Sequence, residues 1–374
     1  MLASEDVARQ LPAVVGHVRD RLDRMTAGIN QAKAGVRSWA ADPETSNKRI
    51  EETMAGTPRP FALTLEESPD GSFSPSPFED CTVVAADGSS IPVDRFAPLP
   101  CYAVNVGSVA LPYGTVGQPV LTAVAHVGPA ESSEEPDVSA GGLDLLRDVK
   151  EMEAVASLAG ERAVYGPSVA LLDGTLFPWD LDSLLVAPSV RMALRERTAD
   201  VLAFMRSLPG PVSLGSYISA SRAADVVTSL SCLIDTDDAW PESDSMLFRS
   251  CLSEGQRSAV FQARSDRARR VESEFSPCDQ VCFFYIRFGD DIARVEFPRW
   301  ATDKARVERL HAGLVDQCTR CDGYPRALQE AHEQAVVSFS DRDLFARLLE
   351  KATVSRGIRW QPIGKGASKR RRAL

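Results

Sequence analysis

No apolar run in the 374-residue chain approaches the ~18 residues that a membrane-spanning helix requires, so no segment is expected to cross a bilayer. The opening MLASEDVARQLPAVVGH lacks the basic start, apolar middle and small-residue cleavage site of a secretory signal, and its first charges are acidic. A cytoplasmic protein is expected. Basic charge is also in deficit: 42 Lys and Arg stand against 52 Asp and Glu, a net charge of −10. That excludes a protein whose whole surface holds nucleic acid by neutralising phosphates, but not a local basic channel or tail. Apolar residues make up 44% and charged residues 25%, which excludes disordered, collagen-like and disulfide-rich classes. The eight cysteines, in a chain of this size and a reducing compartment, are expected as free thiols or metal ligands. No internal repeat is visible.

What is present divides into an extension, a core and a tail. Val7, Leu11, Val14, Val15, Val18, Leu22, Met25, Ile29 and Val36 recur mostly at steps of three and four, the period of an amphipathic helix with Pro12 as a kink or early boundary. Residues 40–80 are rich in Pro, Ser, Asp and Glu and read as a loop-rich connection. Three short β-type runs follow, CTVVAADGSS, CYAVNVGSVAL and QPVLTAVAHVG, whose close connections predict an antiparallel meander. After a surface loop at 130–142, Leu143, Leu146, Val149, Met152, Ala156 and Ala159 define a helix. The strand SVALLDGTL, a helix at 190–207, the strand PVSLGSYIS and a helix at RAADVVTSLSCLI then alternate, which favours parallel crossover units. QVCFFYIRF and IARVEFPRW, joined at Gly289-Asp290-Asp291, predict a hairpin. Helical patterns at 303–317, 324–335 and 341–351 precede the basic tail IGKGASKRRRAL. The expected division is an extension at 1–79, a core domain at 80–352 and a tail at 353–374.

Two aspartates stand out. Asp87 ends the apolar run VVAA and is followed by Gly88; Asp173 ends VALL and is followed by Gly174. A carboxylate projecting from a strand's end, with glycine behind it, faces a crevice that backbone and substrate can approach closely. Either Asp-Gly alone is an ordinary turn pair. Both together, on strands of one sheet, predict a divalent-metal site and match the strand order of a ribonuclease H-like α/β fold: a mixed sheet of antiparallel meander plus parallel strands, flanked by helices, with additional helices.

The motifs VVAADGSS, RDVKEMEAVASLA, VALLDGTLFPWD, GSYISASRAADVV, CFFYIRF and GYPRALQEAHEQAVVSFSDRDLF, in that order, resemble the NurA family of DNA-end-processing nucleases over roughly residues 80–350. The resemblance implies a manganese-dependent deoxyribonuclease, Mg²⁺ being the other candidate ion. It also implies a homodimer, paired with a hexameric HerA-type ATPase that drives DNA toward the nuclease during double-strand-break resection, with exo- and endonuclease action on single strands and duplex ends. The family's strand acids fall on Asp87 and Asp173, and its Tyr and His on Tyr324 and His332. Its helix acid falls on Glu151 or Glu153, and Glu153 is preferred because it follows Val149 by four residues and Leu146 by seven. Asp87, Glu153, Asp173 and His332 are the expected metal ligands. Tyr324 and His332 are eight residues apart, about two helical turns, which allows both to point the same way from one helix with Pro325 in its first turn.

The chemistry explains this residue set. Phosphodiester hydrolysis needs an activated water and a stabilised leaving oxygen, and two metals ~3.5 to 4 Å apart supply both. Clustered carboxylates hold hard cations, and an imidazole favours Mn²⁺ over Mg²⁺. Arg222, at the start of a helix, is a candidate contact to a DNA phosphate. The tail residues Lys365, Lys369, Arg370, Arg371 and Arg372 are candidates for contact with DNA or the ATPase. Cys278, Cys282, Cys318 and Cys321 could in principle form a four-thiolate zinc site. One irregular spacing, and the place of Cys282 at the start of an apolar strand, argue against it. Two further readings are a non-catalytic subunit that docks on the ATPase ring and guides DNA, and a ribonuclease H-like nuclease acting on RNA. The first is disfavoured because a degenerate subunit would have lost at least one of these residues. The N-terminal helix either contacts a partner or packs back on its own domain.

Overall fold

In chain order the helices and strands are α1 (Ser4–Ala41), α2 (Pro43–Met54), β1 (Phe61–Thr64), β2 (Ser72–Phe73), β3 (Cys81–Ile91), β4 (Cys101–Tyr113), β5 (Val120–Pro129), α3 (Ala140–Arg162), β6 (Ser168–Asp173), α4 (Pro188–Ser207), β7 (Val212–Ile218), α5 (Asp225–Ser231), α6 (Asp244–Arg249), β8 (Arg257–Ser258), β9 (Phe261–Arg264), β10 (Val281–Phe288), β11 (Asp291–Pro298), α7 (Lys304–Thr319), α8 (Arg326–Ala335) and α9 (Phe339–Ser355). The computed structural model describes residues 4–94, 99–114, 117–130, 140–177, 186–209, 211–234, 240–265, 268–269 and 273–358. The chain forms two compact units, one from Met1–Pro75 with Ile218–Arg299, the other from Ser76–Tyr217 with Trp300–Leu374.

The second unit carries the ribonuclease H-like core. β3, β4 and β5 form the expected antiparallel meander, with Ala86 opposite Ser108 and Val104 opposite His126. β6 then pairs parallel to β3, from Thr82↔Ser168 to Ala86↔Leu172, and β7 pairs parallel to β6, from Ser168↔Val212 to Asp173↔Tyr217. The strand order β7-β6-β3-β4-β5 follows, with α3 and α4 making the crossovers. Val83–Ala86 and Val169–Leu171 have no exposed surface, as expected of strands covered on both faces, which read as continuous apolar runs. α3 packs on β3, β4 and β6 and against α4, burying Leu145, Leu146, Val149, Met152, Val155, Ala156 and Ala159.

The first unit is built on antiparallel strands in the order β1-β9-β10-β11, with β8 pairing both β2 and β10. The hairpin of β10 and β11 runs from Val281↔Pro298 to Phe288↔Asp291, and Gly289 turns with φ +55°. Beneath the strands lies a buried polar network. Asp244 accepts from the backbone N–H groups of Val226 and Val227 at 3.1 and 2.8 Å, capping α5, and from the Tyr285 hydroxyl at 2.8 Å. Arg294 pairs with Asp225 at 3.0 Å and Glu296 at 2.8 Å, and lies 3.6 Å from the centroid of the Phe283 ring. Arg294 is thus paired with two carboxylates, and Asp244 is satisfied by hydrogen bonds, as burial demands.

The N-terminal extension departs from its sequence reading. Residues 40–80 contribute α2 and β1, which belong to the first unit with 218–299. Phe61, Ala62 and Leu63 are buried, and Trp39 donates from Nε1 to Asn47 Oδ1 at 3.0 Å. α1 runs through Pro12 without ending there. Its C-terminal part packs back, burying Ala32, Val36 and Trp39, whereas Val7, Leu11, Val14 and Val15 are exposed. Residues 236–277 supply strands β8 and β9 as well as α6. Most of the loop at 130–142 and the basic residues of the tail lie outside the described residues. Among the described residues, no helix is long and apolar enough to cross a membrane.

Candidate active site

The parallel ladder between β3 and β6 ends at Ala86↔Leu172, so the next residues, Asp87 and Asp173, stand side by side on neighbouring strands. Strands ~4.8 Å apart with a side-chain period of two send both carboxylates to the same side. β6 stops at Asp173, where Gly174 turns with φ +81° and donates its N–H to Tyr217 O at 3.0 Å. β3 does not stop at Asp87. It continues to Ile91, paired with β4 throughout, so Gly88 lies within a strand rather than in a turn. The cleft opens where β6 ends and β3 runs on.

α8 brings the second set of groups. His332 Nδ1 lies 2.6 Å from Asp87 Oδ2, on a ring that is 64% exposed, while the Asp87 side chain is 19% exposed. Three contacts fix α8. Asp87 pairs across the ladder with Gly107, and a Cβ there would come within 2.4 Å of Ala331 O and Ala335 N, so only glycine lets the helix lie on the sheet. Asn105 Nδ2 donates to Ala335 O at 3.0 Å, satisfying a C-terminal carbonyl. The buried Gln317 accepts the Ala327 N–H at 3.0 Å at the other end. Asn105, Gly107 and Gln317 thus support the site without belonging to any short motif. Tyr324 precedes α8 rather than lying in it, and Pro325 is the N-cap residue, so the two-turn geometry on one helix does not apply. The Tyr324 hydroxyl bonds to Asp173, and its ring packs edge-on against Tyr217 at 5.7 Å.

Of the two candidate helix acids, the structure places Glu151 in the cleft and the preferred Glu153 outside it. Both Glu153 oxygens are taken by Arg197 of α4, at 2.7 Å from Nε and 2.8 Å from Nη2, outside the cleft. Glu151 lines the cleft and is 7% exposed. Burial, then the charges of Asp148 and Asp87, push its carboxyl well above the usual range, against the pull of Arg147. Asp173 is exposed as a residue, but its carboxyl sits among protein atoms. That desolvation, with the Asp87 charge, raises its pKa against the hydrogen bond from Tyr324. Burial and the neighbouring Asp173 raise the Tyr324 hydroxyl too, keeping it protonated.

Asp87, Arg147, Asp148, Glu151, Asp173, Thr175 and His332 therefore share one cleft of about 580 Å³. Among the described residues, no three His, Cys, Asp or Glu side chains form a closed ligand cluster, so the acids line the cleft rather than meeting in a cage. Arg222 does not line it; this residue is exposed, three residues before α5 in the first unit. The four cysteines considered for zinc are accounted for otherwise. Cys282 and Cys318 are buried, the Cys278 thiol lies 3.0 Å from the Ser276 hydroxyl, and the Cys321 thiol lies 2.6 Å from Gln329 Oε1. None of the eight cysteines is in a disulfide.

Comparison with known proteins agrees with this topology. The NurA domain matches residues 81–337, which takes in β3, α3, β6 and α8. The fold is similar to that of the NurA nuclease from Sulfolobus solfataricus, at 15% identity and a TM-score of 0.53, over 97% of this chain and 100% of that one. Lower similarity extends to a crystal structure of NurA with manganese, at 12% identity and a TM-score of 0.42, over 75% of this chain and 90% of that one. The catalytic domain of human endonuclease V is similar at 14% identity and a TM-score of 0.32, over 76% and 86%. No curated protein matches the chain. With more than half of its residues within the NurA domain, the chain belongs to the NurA family.

Proposed function

We propose that the protein is a metal-dependent nuclease that hydrolyses phosphodiester bonds of DNA in the cleft between β3, β6, α3 and α8. The observation that carries this reading is the convergence of Asp87 and Asp173, side by side on parallel strands, with Glu151 from the crossover helix and His332 bonded to Asp87. The donor set fits a hard divalent ion. Three carboxylates line one cleft, and burial first, then the neighbouring acidic charges, raise the pKa values of Glu151 and Asp173, an environment that a divalent cation would relieve. Asp87, Glu151, Asp173 and the free Nε2 of His332 would hold it, and Mn²⁺ suits a site with an imidazole better than Mg²⁺.

When bound, the ion supplies activation of water and neutralisation of charge on the phosphate. The chain's own groups supply the rest. Asp87 orients the His332 ring through Nδ1 and so aims Nε2 into the cleft. Tyr324, held protonated by burial and by Asp173, donates its hydroxyl to that carboxylate and so fixes it at the cleft. Glu151 and Asp173 stay in a fixed geometry because they project from rigid elements.

Processing of DNA ends in double-strand-break repair, homodimer formation and coupling to a HerA-type hexameric ATPase complete the reading, in keeping with membership of the family. Cleavage of end-labelled single- and double-stranded DNA with Mn²⁺, Mg²⁺ or EDTA tests it. Metal-dependent cutting by the wild type that disappears in Asp87→Ala is the expected result. Absence of cutting, even with a cognate ATPase added, would replace it with a DNA-guiding subunit, and preferential cutting of RNA would redirect it to that substrate.

A further inference from the structure

The cleft confronts a polyanionic substrate with four carboxylates, Asp87, Asp148, Glu151 and Asp173, and among the described residues that line it Arg147 is the one Lys or Arg. We infer that Arg147 is the residue that receives an internucleotide phosphate of the bound strand beside the acids. This inference rests on the nuclease reading and adds to it a substrate-binding side chain.

Three observations carry it. Arg147 lies one helical turn before Glu151 on α3, with Nε 3.3 Å from Glu151 Oε1, Nη1 3.2 Å from Asp144 and Nη2 3.0 Å from Asp148. A guanidinium has five N–H donors. Three are directed at carboxylates, and one on each terminal nitrogen remains, the fork that binds two phosphate oxygens at once. Second, β3 makes room for this side chain. A Cβ on Gly88 would lie 2.6 Å from Arg147 Cγ, 3.1 Å from its Cδ and 2.6 Å from Glu151 Oε1. Glycine inside a paired strand weakens it, and here the missing side chain admits Arg147 and Glu151 together. An i, i+4 pair serving only helix stability would form equally well in solvent, with no need of space in the facing strand. Third, the side chain lines the cleft and is 30% exposed, so it is accessible to a strand bound there. Arg197 shows the contrast in place: it pairs with Glu153 through Nε and Nη2 outside the cleft.

The test uses the full chain, with Arg147→Met and Arg147→Lys compared with wild type. Binding of a fluorescent oligonucleotide at low salt in EDTA is read by anisotropy over a salt series, and cleavage with Mn²⁺ is read as KM and kcat. Arg147→Met is expected to weaken binding about ten- to hundredfold and to raise KM in parallel, with a log–log salt slope reduced by about one charge. Arg147→Lys should recover part of the affinity and the full slope, because the charge returns without the fork. Gly88→Ala, which displaces Arg147 while keeping it, should weaken binding in the same direction. A wild type that cuts DNA, alongside a folded Arg147→Met that binds with unchanged affinity and slope, would overturn the assignment alone. A wild type that neither binds nor cuts DNA would overturn the nuclease reading along with it.

Discussion

Glu151 has no counter-charge within its cleft except Arg147, whereas Glu153 is doubly bonded to Arg197 with side chains 36% and 32% exposed. The two acids should therefore separate cleanly. Glu151→Gln removes an anionic donor from the site and should lower the cleavage rate about a hundredfold or more without loss of folding. Glu153→Gln should leave the rate near wild type and cost about 1 kcal/mol in denaturant unfolding, since the pair is half-buried and one of its two hydrogen bonds can persist. A rate loss in the second variant and not the first would reverse the assignment. The two strand aspartates stood out because each closes a buried apolar run before a glycine, although only β6 ends there and β3 runs on past Asp87 to Ile91. The helix acid did not, because α3 buries residues on most of its circumference, among them Leu143, Leu145, Leu146, Val149, Met152, Val155, Ala156, Leu158 and Ala159. Counting from one apolar position then gives no unique inner face, and the two acids are told apart only by the long-range pairing of Glu153 with Arg197 of α4.

At the scale of elements, the site depends on how closely α8 lies on β4. Gly107→Ala would place a methyl 2.4 Å from the helix backbone at Ala331 O and Ala335 N, neither of which can give without moving the helix. Such overpacking typically costs about 1–3 kcal/mol. A displacement of even ~1 Å would carry His332 away from Asp87, with about a hundredfold loss in rate. Near-wild-type cleavage by this variant would show that the His332–Asp87 contact is dispensable. In the first unit, Asp244 caps α5 and is fully enclosed. Burial, with Asp225 nearby, raises its carboxyl from the ordinary 3.8 to about 7. A carboxyl whose folded pKa lies above its unfolded one binds its proton more tightly when folded. Its contribution to stability is therefore full below about pH 4 and declines as pH rises toward about 7. Urea unfolding across that range should show a downward slope in wild type that is flatter in Asp244→Asn; parallel slopes would remove Asp244 as the source. α2, β1 and β9 escaped the sequence reading because their order is long-range. Phe61 pairs with Arg264, and Ala62 trades hydrogen bonds with Ser229, partners that no local periodicity announces.

For the whole molecule the governing quantity is charge. A net −10 repels a polyanion at long range, and the cleft adds four carboxylates against one guanidinium and an imidazole. Affinity for DNA then has to come from few phosphate contacts, and each neutralised phosphate contributes about one unit to the dependence of log K on log salt. The protein alone should bind DNA weakly, with an affinity that falls as salt is raised on a log–log slope of only a few charges. A ring-shaped ATPase that threads the strand would supply the missing attraction as effective concentration, since a tethered substrate meets the cleft without a fresh bimolecular encounter. Cleavage rates measured with and without a cognate ATPase over a salt series should therefore diverge: the protein alone loses activity as salt rises, and the assembled pair holds it. Equal activity and equal salt sensitivity in the two cases would mean that the cleft grips DNA unaided, and the explanation of the acidic surface by a delivering partner would fall.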